Sequence, residues 1–202
     1  FGRTYGTYLS GTMLLHGREV VASSVSSAIA QGLAYVPEDR KTLGLNLLDT
    51  IKRTIVSANL AGVVKRGLLD FEKEFEVAEH YRKALRIKSP SVDVGVATLS
   101  GGNQQKVVLS KWMYPDPELL ILDEPTRGID VGAKYEIYKL IQDLADQGKA
   151  VIVISSELPE LLGISDRIYT ICEGRITGEL LAADADQEQL MRLMTTTSTT
   201  AA

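Results

Sequence analysis

The run Leu119-Leu120-Ile121-Leu122, followed at once by Asp123-Glu124-Pro125, restricts the possible folds of this chain more than any other stretch. Four apolar residues in succession leave no face for water. The segment therefore predicts a strand buried on both sides, as strands are in a parallel sheet covered by helices. Leu33–Val36 and residues 149–155 read as further strands. Residues 131–147 carry Ile137, Leu140, Ile141 and Leu144 on one helical face, with Gly148 as the stop. Such alternation predicts an α/β fold. The buried strand ends in two acids, which sets Asp123 where a carboxylate can hold Mg²⁺ and Glu124 where another can act on a water molecule.

Elsewhere the pattern is more varied. A short strand pair is expected at residues 12–16 and 19–21, turning at Gly17-Arg18, then a helix at 24–31 closed by Gly32. From residue 40 to 98 the pattern is helical: Phe71, Phe75, Ala78, Arg82 and Leu85 recur at steps of three and four and predict a mostly apolar stripe facing a core. Arg167–Cys172 and residues 175–180 form a closing hairpin around Glu173-Gly174. A short helix follows near 187–194, and the low-complexity tail 195–202 predicts disorder.

At 202 residues, 45% hydrophobic and 24% charged, the chain can bury the core of one domain. Its net charge of -4 argues against a sequence-independent grip on nucleic acid, which needs a basic face. Lys65-Arg66 and Arg82, Lys83, Arg86 and Lys88 read as solvated helix faces or as contacts to a membrane partner. Cys172 is the single cysteine, fits a reducing cytosol and reads as a core thiol. The longest apolar runs are too short to cross a bilayer and nothing resembles a signal peptide, so membrane association would come through another protein. His16 and His80 lack the spacing of a metal pair. Trp112 and Met113 are expected in the core, and Tyr135 and Tyr138 in helix packing.

The stretch Leu99-Ser100-Gly101-Gly102-Asn103-Gln104-Gln105-Lys106 lies about one helix and one loop before the acidic strand end. Ser100 and two glycines stand where a helix begins. Unpaired amide N–H groups and the positive helix end therefore face an opening free of side chains and suited to an anion. Ser100 can cap the helix, which is worth about 1 kcal/mol, or turn its hydroxyl to a phosphate. Lys106 and Lys111 read as helix-surface charges.

In this order and spacing the two stretches resemble the signature and Walker B motifs of ABC transporter ATPase domains. The wording LSGGNQQK with DEPTRGIDVGAK is similar to the monosaccharide importers of xylose, arabinose, galactose or ribose type. The resemblance covers residues 1–194 and is to the C-terminal part of the second of two fused ATPase halves. It implies a P-loop NTPase-like ABC ATPase domain with core 1–39 and 99–194, a helical subdomain 40–98 and a peripheral antiparallel strand pair. It implies further that two such domains stack head to tail around ATP. Ser100, Gly101 and Gly102, and the side-chain amides of Asn103 and Gln104, would then serve a nucleotide held by the partner's phosphate loop. Asp123 would act on Mg²⁺ through water, and Glu124 would deprotonate the attacking water. Gly128 and Asp130 match the D-loop, a segment that crosses the dimer interface and reports the state of one site to the other; Arg127 reads as surface or as part of it.

Two positions depart from the general pattern. In Tyr35-Val36-Pro37-Glu38-Asp39-Arg40, Glu38 stands at the metal-contacting, membrane-coupling position usually held by glutamine, and adds negative charge beside the nucleotide. Ser156 stands where a switch histidine is usual, and loss of such an orienting group costs on the order of 10²–10⁴ in rate. The only Gly-Lys, Gly148-Lys149, is followed by alanine and does not make a phosphate loop. The resemblance therefore implies that the phosphate loop, its strand and its helix precede Phe1, and that the truncated piece alone is inactive and poorly stable.

The implied function is an ATP-binding and ATP-hydrolysing subunit, peripheral on the cytoplasmic face of the inner membrane, that powers monosaccharide import. Its partners would be a membrane permease, a periplasmic sugar-binding protein and either the N-terminal ATPase half of the same polypeptide or a second copy. Two other readings stay open. One is a catalytically silent half that lends its signature helix to a partner site; the other is a soluble ABC ATPase acting on ribosomes or nucleic acid, against which the acidic balance counts.

Overall fold

The computed structural model describes residues 10–195. The first element is a two-residue pairing of β1 (Leu14–Leu15) with β2 (Arg18–Glu19), closed by His16 and Gly17 at φ 50° and 73°. Both turn residues are left-handed, the requirement of the tight hairpin turn that matches strand twist. The turn is thus His16-Gly17 rather than Gly17-Arg18, and the pair is shorter than its apolar pattern suggests. Helix α1 (Val25–Ala30) starts on Ser24, whose hydroxyl accepts the Ser27 amide, and Gly32 at φ 78° turns the chain into β3 (Leu33–Val36).

The segment 40–98 is only partly helical. It holds a π-helical turn Arg40–Gly44, helix α2 (Ile51–Val56), a 3₁₀ turn Leu60–Val63, the strands β4 (Val64–Lys65) and β5 (Leu68–Leu69), helix α3 (Phe71–Ala84) and a 3₁₀ turn Val96–Thr98. Lys65 and Arg66 consequently lie on a hairpin, with Arg66 and Gly67 left-handed at its tip, and not on a helix. Helix α3 is capped by Asp70 and packs on α2. Its buried residues are Glu74 and Ala78, with Leu85 just beyond its end, while Phe71 is 65% exposed and Phe75 is exposed. The inward face is therefore rotated from the Phe71–Phe75 stripe toward Glu74 and the half-buried Tyr81. Glu74 Oε2 has no hydrogen-bond partner among the described residues.

Helix α4 (Gly101–Met113), strand β6 (Leu119–Asp123), helix α5 (Val131–Asp146) and strand β7 (Ala150–Ile154) complete the unit that runs to Ile154. The sheet is parallel in the order β3-β6-β7, with Tyr35 opposite Ile121, Ile121 opposite Ile152 and Asp123 opposite Ile154. Leu120 and Leu122 are fully buried, each contributing about 1.5–3 kcal/mol. Helix α4 lies against β3 and α5 against β7; Val107, Val108 and Leu109 of the first and Ile137, Ile141 and Leu144 of the second are buried. Trp112 and Met113 are half-buried, and Tyr135 is exposed, outside the packing expected of it.

The second unit begins at Ser155. It contains α6 (Leu158–Ile164), which the strand-and-helix reading passed over, the hairpin β8 (Arg167–Cys172) with β9 (Arg175–Leu181), and α7 (Gln187–Thr195). Helix α7 buries Leu190 and lies on both hairpin strands. A Cβ at Gly178 would stand 2.6 Å from Leu193 Cδ1, so the missing side chain is what lets the helix seat on the hairpin. Thr195 ends α7; the rest of the tail, and residues 1–9, lie outside the described residues.

Candidate functional site

Strand β6 delivers Asp123 as its last residue, on the sheet face shared with Ile121 and, across the ladder, Tyr35. The Tyr35 hydroxyl donates to Asp123 Oδ2 at 2.6 Å. Burial first, and then Asp123, push the Tyr35 pKa up to about 12, so the phenol remains a donor at neutral pH. Directly after the strand, Glu124 takes a left-handed φ of 46°; its amide donates to the Ile154 carbonyl at 2.8 Å and its carbonyl accepts from the Arg127 amide at 3.1 Å. The turn holding Glu124 is therefore anchored at both ends to backbone, and Thr126 beneath it is fully buried.

That turn leads into a cluster drawn from three segments. The Arg127 guanidinium forms an ion pair with the Glu38 carboxylate. The Arg127 carbonyl accepts from Arg40 Nη1 at 3.0 Å. Glu38 thus does not stand as an uncompensated charge: Arg127 supplies the opposite one, from a side chain that is 67% exposed, so Arg127 is at the surface and pairs with Glu38 there. Gly128 is left-handed at φ 68°, and Asp130 caps α5 by accepting the Ala133 amide at 2.9 Å. A Cβ at Gly101 would lie 2.8 Å from Arg40 Nη2 and 3.4 Å from the Gly128 carbonyl; one at Gly102 would lie 2.8 Å from Ala133 Cβ. The two glycines therefore admit close approach of Arg40, Gly128 and the first turn of α5 to the start of α4.

At that start Ser100 occupies the cap position, yet its side chain makes no cap hydrogen bond. Its Oγ accepts from Asn103 Nδ2 at 2.9 Å, and Asn103 Oδ1 accepts from the Lys88 amide at 2.8 Å. Gln104 points the other way: it is buried and donates to the Val96 carbonyl at 3.3 Å, committed to the helical segment rather than to an opening. Lys106, expected on the surface, is 4% exposed, with Nζ 2.5 Å from Glu136 Oε2 and 3.3 Å from the Arg86 carbonyl. Lys111 donates to the Gly44 carbonyl at 3.1 Å, and burial pushes its pKa down. Ser156 belongs to the second unit, beside Ser155, whose hydroxyl donates to Glu160 at 2.5 Å.

The structure thus gathers Glu38, Ser100, Gly101, Gly102, Gly128 and Asp130 around the α4 start or the turn after β6, and it turns Gln104 away. Tyr35 and Arg40 went unassigned from sequence. A tyrosine inside an otherwise apolar strand was the one available sign for the first. Among the described residues no group of three or more His, Cys, Asp or Glu side chains is set to enclose a metal, and no helix is long and apolar enough to cross a membrane. A Mg²⁺ ion is normally held by one or two carboxylates together with substrate phosphates and water, and Asp123 at an open strand end is a donor of that kind.

Comparison with known proteins gives a consistent result. The family described as ABC transporter matches over residues 4–127. The chain is 55% identical over 198 residues to the L-arabinose transport ATP-binding protein AraG of Geobacillus stearothermophilus, covering 98% of this chain and 39% of that protein. It is 50% identical over 196 residues to the xylose import ATP-binding protein XylG of Geobacillus kaustophilus, covering 96% and 38%. The chain therefore spans about two fifths of the length of these curated relatives. In fold it is similar to an ATP-binding cassette solved as a dimer in a post-hydrolysis state bound to ADP and Pi, with a TM-score of 0.68 at 18% identity over 83% of this chain and 72% of that one.

Proposed function

The chain belongs to the ABC transporter family, and from that premise we propose that it is part of an ATP-hydrolysing subunit that powers uptake of a monosaccharide through a membrane permease. The observation that carries the proposal is the start of α4, where Ser100 holds the cap position without making a cap hydrogen bond and Gly101 and Gly102 follow it, packed closely on Arg40, Gly128 and Ala133. Such an end binds anions through N–H groups and the helix dipole. Ser100, Gly101 and Gly102 face the terminal phosphate of ATP bound mainly by a second ATPase domain, either the other half of a longer polypeptide or a second copy. Residues 1–39 and 99–194 serve as the nucleotide-binding core and 40–98 as the helical subdomain. The names of the arabinose and xylose relatives support a pentose or related sugar, delivered by a periplasmic binding protein to a complex on the cytoplasmic face of the membrane.

Strand β7 supports one further element of the reading. It ends the sheet among the described residues, and Ile152 and Ile154 are each 48% exposed. A strand leading into a phosphate loop would pair along that edge, and the helix after it would cover the face that carries Ile152 and Ile154 together with Ile121. Mg²⁺, when bound with ATP, supplies charge neutralisation on the phosphates. Asp123 would hold it from the protein side, with Tyr35 fixing the carboxylate. Glu124 orients the attacking water and takes its proton.

The ion pair of Glu38 with Arg127 favours a second reading, a half whose own site is silent, because a carboxylate bound to a guanidinium is held away from a metal. One pair of variants separates the two. In the full-length polypeptide assembled with its permease, Glu124→Gln is expected to lower ATP turnover by about 10²–10⁴-fold with nucleotide still bound. Unchanged turnover in Glu124→Gln, alongside a loss in Ser100→Arg, selects the silent half. Failure to copurify with any multispanning permease overturns the transport reading.

A further inference from the structure

We propose that Asn103 does not touch nucleotide but fixes the polarity of the Ser100 hydroxyl, making it a hydrogen-bond donor aimed out of the protein. The inference rests on the reading of the α4 start as a phosphate-facing site and assigns a positioning residue within it.

The polarity follows from a chain of obligate roles. The Lys88 backbone N–H can only donate, so the side-chain atom of Asn103 at 2.8 Å from it is the carbonyl oxygen. The other end of the amide is then NH₂, which can only donate, and it lies 2.9 Å from Ser100 Oγ. Ser100 must therefore accept from Asn103, which occupies an oxygen lone pair and leaves its own O–H to be donated elsewhere. The amide orientation, usually a matter of choice, is set here by a main-chain group fifteen residues away.

A second observation concerns what Ser100 does not do. Ser24, Thr50, Asp70 and Asp130 each cap their helices by accepting an amide of the first turn. Ser100 holds the same position on α4 and makes no such bond. Asn103, at the third position of the helix, has drawn the hydroxyl aside. The first-turn amides of α4 consequently keep their N–H groups for another acceptor, and the Ser100 O–H stands beside them as one more donor. Amides and hydroxyl together make a set of donors, with the Gly128 carbonyl and the Asp130 carboxylate as the acceptors nearest the two glycines, and such a set suits a fully ionised phosphate oxygen.

Asparagine is specific to this task. Aspartate is its isostere and keeps the acceptor for the Lys88 amide, and an acid at this position is favourable to the helix dipole. It has no proton to give Ser100, so the hydroxyl donates to the carboxylate and is withdrawn from the phosphate. Asn103→Asp is therefore expected to fold as well as the parent and yet to fail in function.

The test is a double-mutant cycle in the full-length polypeptide with its permease, reading kcat, KM for ATP and ATP-dependent association of the two ATPase domains by site-specific cross-linking. Ser100→Ala is expected to lower kcat at least tenfold, and Asn103→Asp by at least as much with an unchanged thermal midpoint. Asn103→Ala is expected to lower kcat severalfold beside Ser100 and less than twofold in the Ser100→Ala background, with cross-linking following kcat. Equal losses from Asn103→Ala in both backgrounds mean that Asn103 acts independently of Ser100, and overturn the inference while leaving the phosphate-facing reading intact. Undiminished turnover and cross-linking in Ser100→Ala overturn that reading, and the inference with it.

Discussion

Asp123 shows how much of a candidate site lies in a single contact that no local pattern announces. The apolar run before it dictated a strand, buried on the face of Leu120 and Leu122 and only half-buried on the other rather than on both sides, and the register then placed Tyr35 where its hydroxyl reaches Oδ2, across 88 positions of sequence. The phenol stays protonated well above neutrality, so the carboxylate is held in one orientation throughout the physiological range. Tyr35→Phe removes that donor and is expected to cost about 1–3 kcal/mol of stability, read by denaturant unfolding. In the full-length protein it is expected to raise the Mg²⁺ concentration for half-saturation by roughly tenfold, as loss of an outer partner does at metal sites, measured with Mn²⁺ as a spectroscopic substitute. Asp123 and Glu124 were legible as a pair because acids at a strand end are conspicuous. The compensation of Glu38 by Arg127 was not, because that partner lies in another segment and meets it only in the folded chain.

Helix α4 is an element whose start was legible and whose surroundings were not. Ser100-Gly101-Gly102 marks its start, but the period of its side chains cannot say which neighbours stand opposite each face. Lys106 was expected in water because lysine usually is. Instead its stem runs inward between the end of α3 and helix α5, along a cleft of about 170 Å³ lined in part by Ala84, Arg86 and Asp143. Its ammonium joins both walls, through the Arg86 carbonyl and Glu136. Lys106→Met leaves the Arg86 carbonyl without its donor and the 38%-exposed Glu136 without its cation and is expected to destabilise by about 1–3 kcal/mol, whereas Lys106→Met combined with Glu136→Met recovers part of the loss. Thermal unfolding of the parent, Lys106→Met and the double variant decides it: a double variant no more stable than Lys106→Met sinks the expectation. The same limit explains α3, where the stripe through Phe71 and Phe75 was visible and the packing on α2 selected the neighbouring face with Glu74 and Ala78.

At the scale of the molecule, three acids between residues 39 and 93 report on folding. The side chain and amide of Thr42 hold the Asp39 carboxyl below its usual range, Arg82 does so for Glu79, and Lys52 with Ser91 does so for Asp93. A carboxylate whose folded pKa is depressed contributes stability above its unfolded value, near 4, and that stability is lost as pH falls through the folded value. The unfolding midpoint is thus expected to hold from neutrality down to about pH 5 and to fall below about pH 4. A midpoint that rises on acidification contradicts these pairings. The α/β class, the strands β3, β6 and β7, the helices α4 and α5, the two motifs and the acids at the end of β6 were legible in local composition and period, whereas α6 and the β4–β5 hairpin were not. Which side chains meet was decided only when β3 came to lie beside β6 and α4 against α5. A hydrogen bond or ion pair depends on the distance between groups far apart in the chain, and only tertiary packing sets that distance.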